Sequence, residues 1–337
     1  MRIYFLIIAF LCTKINAQID TAKITSYEHQ VMVRVNFDTN LEDFVFNSKS
    51  EGIEEVIKIS VNNKIKTSLS LDYRIISASV SFAPNFIPGN NQNELKGKSS
   101  YTNLEFRFFP KSFIQEVYYK NVKGFYIRNT EDFIPRWRRK IDPYIQFPDL
   151  RVQSFGGLTS YVFNKDFSLK GIYTQREWQK VSKGSLVAAI DYDLTIFSNQ
   201  MDEYESKEQQ YTLGLNLGYY YNWVISKKVS IAPYTWLGSG GKWGVSQGTF
   251  SDGTKDEKET YRSLTFRWGS GIHIGYNSDR FLYGTKIDVT SHNYRIDSES
   301  RVRNNNIYGL IYVGYRFAPP KAVSENYDKI QKKIPIL

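Results

Sequence analysis

Residues 211–221 read YTLGLNLGYYY, and their side-chain period decides the fold. Successive side chains of a strand point to opposite faces. Tyr211, Leu213, Leu215, Leu217, Tyr219 and Tyr221 therefore share one face, and Thr212, Gly214, Asn216 and Gly218 share the other. One face is apolar with aromatics at both ends. The other is small or polar.

The device recurs on both sides of this stretch. In 263–276, SLTFRWGSGIHIGY, Leu264, Phe266, Trp268, Ile272, Ile274 and Tyr276 share a face, opposite Thr265, Arg267, Gly269, Gly271 and His273. In 185–196, Leu186, Ile190, Tyr192 and Leu194 oppose Asp191, Asp193 and Thr195. In 281–292, Phe281, Tyr283, Ile287 and Val289 oppose Lys286, Asp288 and His292. In 102–108, Leu104, Phe106 and Phe108 oppose Asn103, Glu105 and Arg107.

A soluble sandwich or propeller also alternates, but its strands run to about five or six residues. Several of these runs alternate for ten or more, near the ~9–11 residues needed to cross a bilayer at a tilt. Aromatic ends suit an interfacial girdle. In lipid every backbone amide needs a partner, so such strands must close into a ring. The expected fold is all-β, a closed antiparallel transmembrane barrel over residues 29–318. About thirteen candidate strands can be read, and the preference for even numbers points to about 12, within a range of about 10 to 14.

The connections follow the same logic. Tight turns are read at Tyr73-Arg74, Pro110-Lys111, Asn164-Lys165-Asp166, Ser226-Lys227-Lys228 and Asn277-Ser278-Asp279. Longer polar loops are read at 84–99, 127–153, 244–260 and 293–305. Counting short and long connections from each end gives opposite strand directions around residues 164–184. Either a strand there is misassigned, or QREWQKVSKG (175–184) does something other than span.

The remaining composition sets limits. The chain has 337 residues, 44 Lys+Arg against 34 Asp+Glu, one Cys and a mean hydropathy of −0.43. MRIYFLIIAFLCTKINA (1–17) has a basic start, an apolar run and a small residue at Ala17, the layout of a cleaved export signal. Cys12 would leave with it, so no disulfide or thiolate chemistry is expected. No later apolar run approaches the ~20 residues of a membrane helix. Residues 18–28 form a short N-terminal segment. Pro319-Pro320 stop the last strand, 306–317, and begin a polar tail, 319–337, expected in the periplasm. An exported basic chain does not meet nucleic acid. Outer-membrane lipid or lipopolysaccharide, the barrel-insertion machinery and an envelope protein are the expected partners.

The segment FPDLRVQSFGGLTSYVFNKDFSLKGIYTQREWQKVSKGSL (147–186) resembles the central block of a Bacteroidetes family catalogued as domain of unknown function 4421. The matching residues are Pro148-Asp149-Leu150, Tyr161-Val162-Phe163-Asn164, Gln175, Glu177, Gln179-Lys180, Ser182 and Gly184-Ser185. Earlier hairpins (SLSLDYRIISASVSF, EVYYKNVKGFYI) and later ones (NLGYYYNWVISKK, GYNSDRFLYG) are also similar, so the likeness runs from about residue 27 to 318. It implies an outer-membrane barrel of a Gram-negative, Bacteroidetes-type cell and no assigned activity.

Catalytic chemistry has few candidates. Beyond the leader the histidines are His29, His273 and His292. His273 reads as a packed lumen histidine. His292 neighbours Ser291, but adjacent strand residues face opposite ways and cannot form a dyad directly. No enzyme, cofactor or metal site is expected. Asp191 and Asp193 share a lumen face, where the expected role is to meet Arg267, Lys286 or Arg107 and keep the barrel in register. Glu105, Arg107, Asp191, Asp193, Arg267, His273, Lys286 and Asp288 are the expected polar lumen residues. The run Arg136-Trp137-Arg138-Arg139-Lys140 is a solvated charge cluster or a grip on lipopolysaccharide phosphates or a protein partner. The expected function is a narrow, porin-like passage for small solutes. The alternative is a filled accessory barrel that anchors or assists another envelope complex, and a lipid-active enzyme is the minor one.

Overall fold

The computed structural model describes residues 22–39, 43–50, 53–295 and 301–333. The expected leader, 1–17, lies outside them. The described chain opens with β1 (Ile24–Ser26) and β2 (Val31–Asp38), then a hairpin of β3 (Phe44–Ser50) and β4 (Ile53–Ser60). Next come β5 (Lys66–Tyr73), β6 (Ile76–Phe82), the one-turn helix α1 (Asn93–Lys96), β7 (Ser100–Phe108), β8 (Phe113–Ile127) and β9 (Gln146–Val162). A helical turn, α2 (Lys170–Tyr173), and β10 (Glu177–Gln179) precede the long strands β11 (Lys183–Met201), β12 (Tyr204–Val224), β13 (Val229–Phe250) and β14 (Glu259–Asn277). β15 (Phe281–Arg295), β16 (Arg301–Phe317) and helix α3 (Lys321–Lys333) complete the described chain.

Twelve strands form the ring: β2, β5 to β9 and β11 to β16, each antiparallel to its neighbours. β16 returns to β2 with Val313 opposite Val35 and Phe317 opposite Val31. Closure leaves no open edge, which is what a bilayer demands of a sheet. Both ends of the described chain and the connections after β5, β7, β9, β12 and β14 lie at one end, the turn end. The longer loops lie at the other, the loop end.

The pairing of β11 with β12 keeps one register from Lys183–Asn222 to Met201–Tyr204, so the alternation read in the sequence becomes a wall with two unlike faces. Leu215, Leu237, Leu264 and Ile307 point outward and are 60–88% exposed. Stacked or tilted aromatic pairs, among them Tyr276–Tyr283 (4.6 Å), Phe281–Tyr315 (5.0 Å) and Phe113–Tyr161 (5.0 Å), rim this belt at the turn end. An apolar belt of such extent on the outside of a folded chain is what a lipid bilayer covers.

Two differences from the sequence reading have physical causes. First, strands overrun the expected loops: Gln146–Val152 belong to β9, β13 continues to Phe250, and β15 and β16 reach Arg295 and Arg301. Beyond the lipid the ladder of backbone hydrogen bonds continues, but water removes the need for an apolar face. The period-two signal fades while the strand does not, as in YESKEQQ at the start of β12. Second, β3 and β4 lie outside the ring count. β5, β6 and β7 are only 8, 7 and 9 residues long and leave a gap at the loop end. The hairpin fills it, β3 pairing with β16 at Arg301–Arg303 and β4 with the end of β8 at Tyr126–Ile127. Near that corner Gly124 sits at φ +83° where the β8–β9 register shifts, and any side chain there would strike the Lys98 carbonyl.

Candidate functional site

The turn after β9 resolves the strand-direction conflict. β9 and β11 are neighbours in the ring, so residues 163–182 return to the end they left. They do not span. They fold inward and close the turn end of the lumen. Asn164 starts the turn, its Oδ1 accepting from the Asp166 amide (3.0 Å) and its Nδ2 donating to the Gly184 carbonyl (2.8 Å). Phe167, Leu169 and Ile172 then pack with Phe109, Ile114, Val162, Val187 and Tyr234 in an apolar core inside the barrel.

Polar contacts fix the rest of this insert. β10 pairs antiparallel with β1, Ile24 opposite Gln179 and Ser26 opposite Glu177, so the N-terminal strand joins the insert. Ser168 Oγ donates to Glu177 Oε2 (2.6 Å), Gln179 Nε2 to the Asp166 carbonyl (2.8 Å), and Trp178 Nε1 to the Lys227 carbonyl (3.1 Å). Arg176 Nη1 donates to the Ile76 carbonyl (2.7 Å), and burial pulls its guanidinium pKa below the usual value. Gln175, at φ +55°, is the hub. Arg34 Nη1 donates to its Oε1 (2.7 Å), Arg316 Nη2 donates to its carbonyl (2.6 Å), and His273 Nε2 lies 3.4 Å from its Nε2. Arg316, only 1% exposed, also donates to Asn277 Oδ1 (2.6 Å) and lies over the Tyr27 ring (3.7 Å). Buried charge is tolerable only when it is hydrogen-bonded or paired.

On the loop side of the insert lie two cavities whose linings include charged and polar side chains. One, of about 520 Å³, is lined by Asp191, Asp193 and Arg267 with Lys242 and His292. The other, of about 410 Å³, is lined by Glu105, Arg107, His273, Lys286 and Asp288, and Ile172, Tyr173 and Gln175 of the insert form part of its wall. All eight polar residues read as lumenal in the sequence line one of these two cavities.

Their charges are paired. Arg267 Nη1 meets Asp191 Oδ2 at 2.5 Å, and Asn216 Nδ2 donates to the other Asp191 oxygen (2.7 Å). Asp193 instead accepts from Tyr118 Oη (2.7 Å) and Thr195 Oγ1 (2.5 Å). Arg107 bridges Glu105 (2.6 Å) and Glu116 (2.7 Å). Lys286 meets Asp288 (2.9 Å), which also accepts from Tyr234 Oη. His273 Nε2 lies 2.8 Å from Tyr312 Oη, and the His292 ring stands edge-on to Trp236. Among the described residues no group of three or more His, Cys, Asp or Glu is placed to hold a metal ion.

The sequence reading missed Arg34, Asn36, Arg316 and the serine wall of the second cavity, Ser68, Ser70, Ser79 and Ser81. The signal was present. Arg34, Asn36 and Asp38 occupy every second position of VMVRVNFD, and the serines every second position of SLSLDY and ISASVSF.

Arg136, Arg138, Arg139 and Lys140 are exposed at the loop end, in the connection between β8 and β9. Asp142 organises the run: its Oδ2 accepts from the Arg138 amide (2.7 Å) and Nε (3.1 Å), its Oδ1 from Nη2 (2.9 Å), and these bonds hold its carboxyl below the usual carboxylate range. Trp137 Nε1 donates to the Pro143 carbonyl (2.8 Å) and its ring packs on Tyr144 (4.7 Å). Nearby, burial and the positive fields of Lys64 and Arg139 lower the pKa of Lys96.

The family model described as Domain of unknown function (DUF4421) matches residues 18–317. The chain belongs to that family. Gln175, Glu177 and Gln179, which carry the resemblance described above, bond the insert together and to the wall. No curated protein matches the chain. Among solved structures it is similar to the outer membrane protease OmpT of Escherichia coli (7% identity, 87% of this chain and 98% of that one, TM-score 0.40). It is similar also to an outer membrane channel of Pseudomonas putida F1 (11%, 86% and 98%, 0.39) and to the β domain of the Bordetella autotransporter BrkA (10%, 86% and 100%, 0.35). Identities this low carry no information about activity.

Proposed function

We propose that this protein is an outer-membrane barrel that takes small polar solutes into its lumen from the loop end, with the 163–182 insert as the closed gate of a narrow passage. The observation that carries this is the pair of polar cavities seated on the insert. Most of their acids and bases are matched to one another, and the smaller cavity adds a wall of serine hydroxyls and amide groups such as Asn36 and Asn103, whose Oδ1 atoms have hydrogen-bonding capacity to spare. That chemistry suits a neutral, hydroxyl-bearing solute better than an ion. In this reading the loop end faces outward, the turn end faces the periplasm, and the exposed Arg136–Lys140 run meets lipopolysaccharide phosphates.

A second reading, a filled accessory barrel, is favoured by the apolar core that holds the insert, because an interior packed like that of a soluble domain resists opening. Planar-bilayer recording separates the two. Wild-type protein is expected to give little steady conductance. A variant with residues 166–181 replaced by a short Gly-Ser turn, shown to be folded by heat-modifiable migration, is expected to conduct. A folded but silent variant would leave the accessory barrel as the reading.

A further inference from the structure

Helix α3 is not a loose tail. It is docked against the β5–β6 turn at the turn end of the barrel. Tyr73 shares the outward face of β5 with Leu69 and Leu71, which are about half exposed, and Tyr327 packs edge-on against the Tyr73 ring at 5.4 Å. Arg74, at the tip of the β5–β6 turn, donates to Asp328 Oδ1 (2.7 Å) and Gln331 Oε1 (3.4 Å) and lies over the Tyr327 ring (4.9 Å). Tyr327 is the buried residue of the helix.

These contacts fix the rotation of the helix. At about 100° per residue, Gln331 and Asp328 stand about 40° and 100° from Tyr327 in one sense, toward the turn tip. Val323 and Ile330 stand about 40° and 60° from it in the other sense, on the side of Tyr327 opposite the Arg74 contacts. They are 42% and 48% exposed and make a two-turn apolar stripe that the described residues leave partly open. Going round the helix past Ile330, Asn326 comes first, then Lys333 about 60° and Lys329 about 100° beyond Ile330, and both lysines are exposed.

We infer that α3 is an interfacial anchor that binds the anionic phospholipid surface at the turn end of the barrel. Val323 and Ile330 enter the boundary between headgroups and acyl chains, continuous with the belt at Leu71 and Leu69. The lysines reach phosphates beside them. The inference rests on the reading that the barrel lies in a membrane and is independent of what the lumen does.

Cys12 is the only cysteine, so a Cys12→Ser background accepts single reporters. An environment-sensitive fluorophore is placed at Ile330→Cys, Val323→Cys, Glu325→Cys on the far side of the helix, and Leu215→Cys in the belt. The protein is reconstituted in phosphatidylethanolamine vesicles with or without phosphatidylglycerol. Labels at 330 and 323 are expected to emit to the blue of the label at 325 and to be quenched several-fold more by chain-attached nitroxide than by aqueous iodide, as at 215. Phosphatidylglycerol should increase this, and Lys329→Glu with Lys333→Glu should abolish the increase. If 330 and 323 behave like 325 while 215 reports lipid, the anchor is overturned and the membrane reading stands. If 215 also reports water, both fall.

Discussion

The guanidinium of Arg267 crosses two strands to reach Asp191, lying directly over Gly214. Asp191 is opposite Gly214 in β11–β12, Gly214 opposite Gly240 in β12–β13, and Gly240 opposite Thr265 in β13–β14. The bare backbone at Gly214 between donor and acceptor makes the bridge possible. A methyl group at Gly214 would overlap the guanidinium.

Gly214→Ala is therefore expected to lift Arg267 off Asp191 and destabilise the barrel, although alanine normally suits a strand no worse than glycine. Asp191→Ala should cost about 3–5 kcal/mol, because it leaves a buried cation unpaired, and the double change Asp191→Ala/Arg267→Met should recover much of that. Urea unfolding in lipid or detergent measures the three. A double change as damaging as Asp191→Ala alone would remove the pair from the account.

Lipid contact predicts an asymmetry between neighbours. Leu215→Arg at the centre of the outer belt should cost about 2–4 kcal/mol, whereas Thr212→Arg, which faces the larger cavity, should cost far less. Equal losses in vesicle refolding would mean the belt is not in lipid.

Gln175 joins the insert to two buried arginines. Gln175→Ala removes the Arg34 contact and leaves that guanidinium short of an acceptor. Hydrogen exchange is expected to rise within 167–179 while the strands stay protected. Unchanged exchange there would place the hold on the insert in its apolar core.

The Asp142 cap gives a pH signature. The folded carboxyl is depressed, so its contribution to ordering the 136–142 run is present above the unfolded carboxylate range and is lost as pH falls through the lower folded value. Tryptic cleavage after Arg136, Arg138 and Arg139 is outside the enzyme's working pH, so exchange at their amides is the measurement. Protection should survive at mildly acidic pH and fail only below the usual carboxylate range. Asp142→Asn should weaken it and flatten the dependence.

How much of this was legible in the sequence differs by element. SLTFRWGSGIHIGY placed Arg267 and His273 on the lumen side with no reference to any partner, because the period of two is a property of each strand's own backbone. The serine wall has the same period of two but no large residue to mark it. The insert was legible only as a contradiction in strand direction. Its short polar segments carry no period, and its shape comes from Arg34, Arg316 and the inner wall.

Local sterics thus let the sequence alone set which side chains look outward, which look inward, and that the strands must close on themselves. Which inward groups meet was decided by the tertiary structure. Arg267 finds Asp191 from 76 positions away, β3 and β4 fill a gap left by three short strands, and α3 is held at the β5–β6 turn by Arg74. Such meetings depend on the stagger between strands distant in the chain, and no local pattern encodes that stagger.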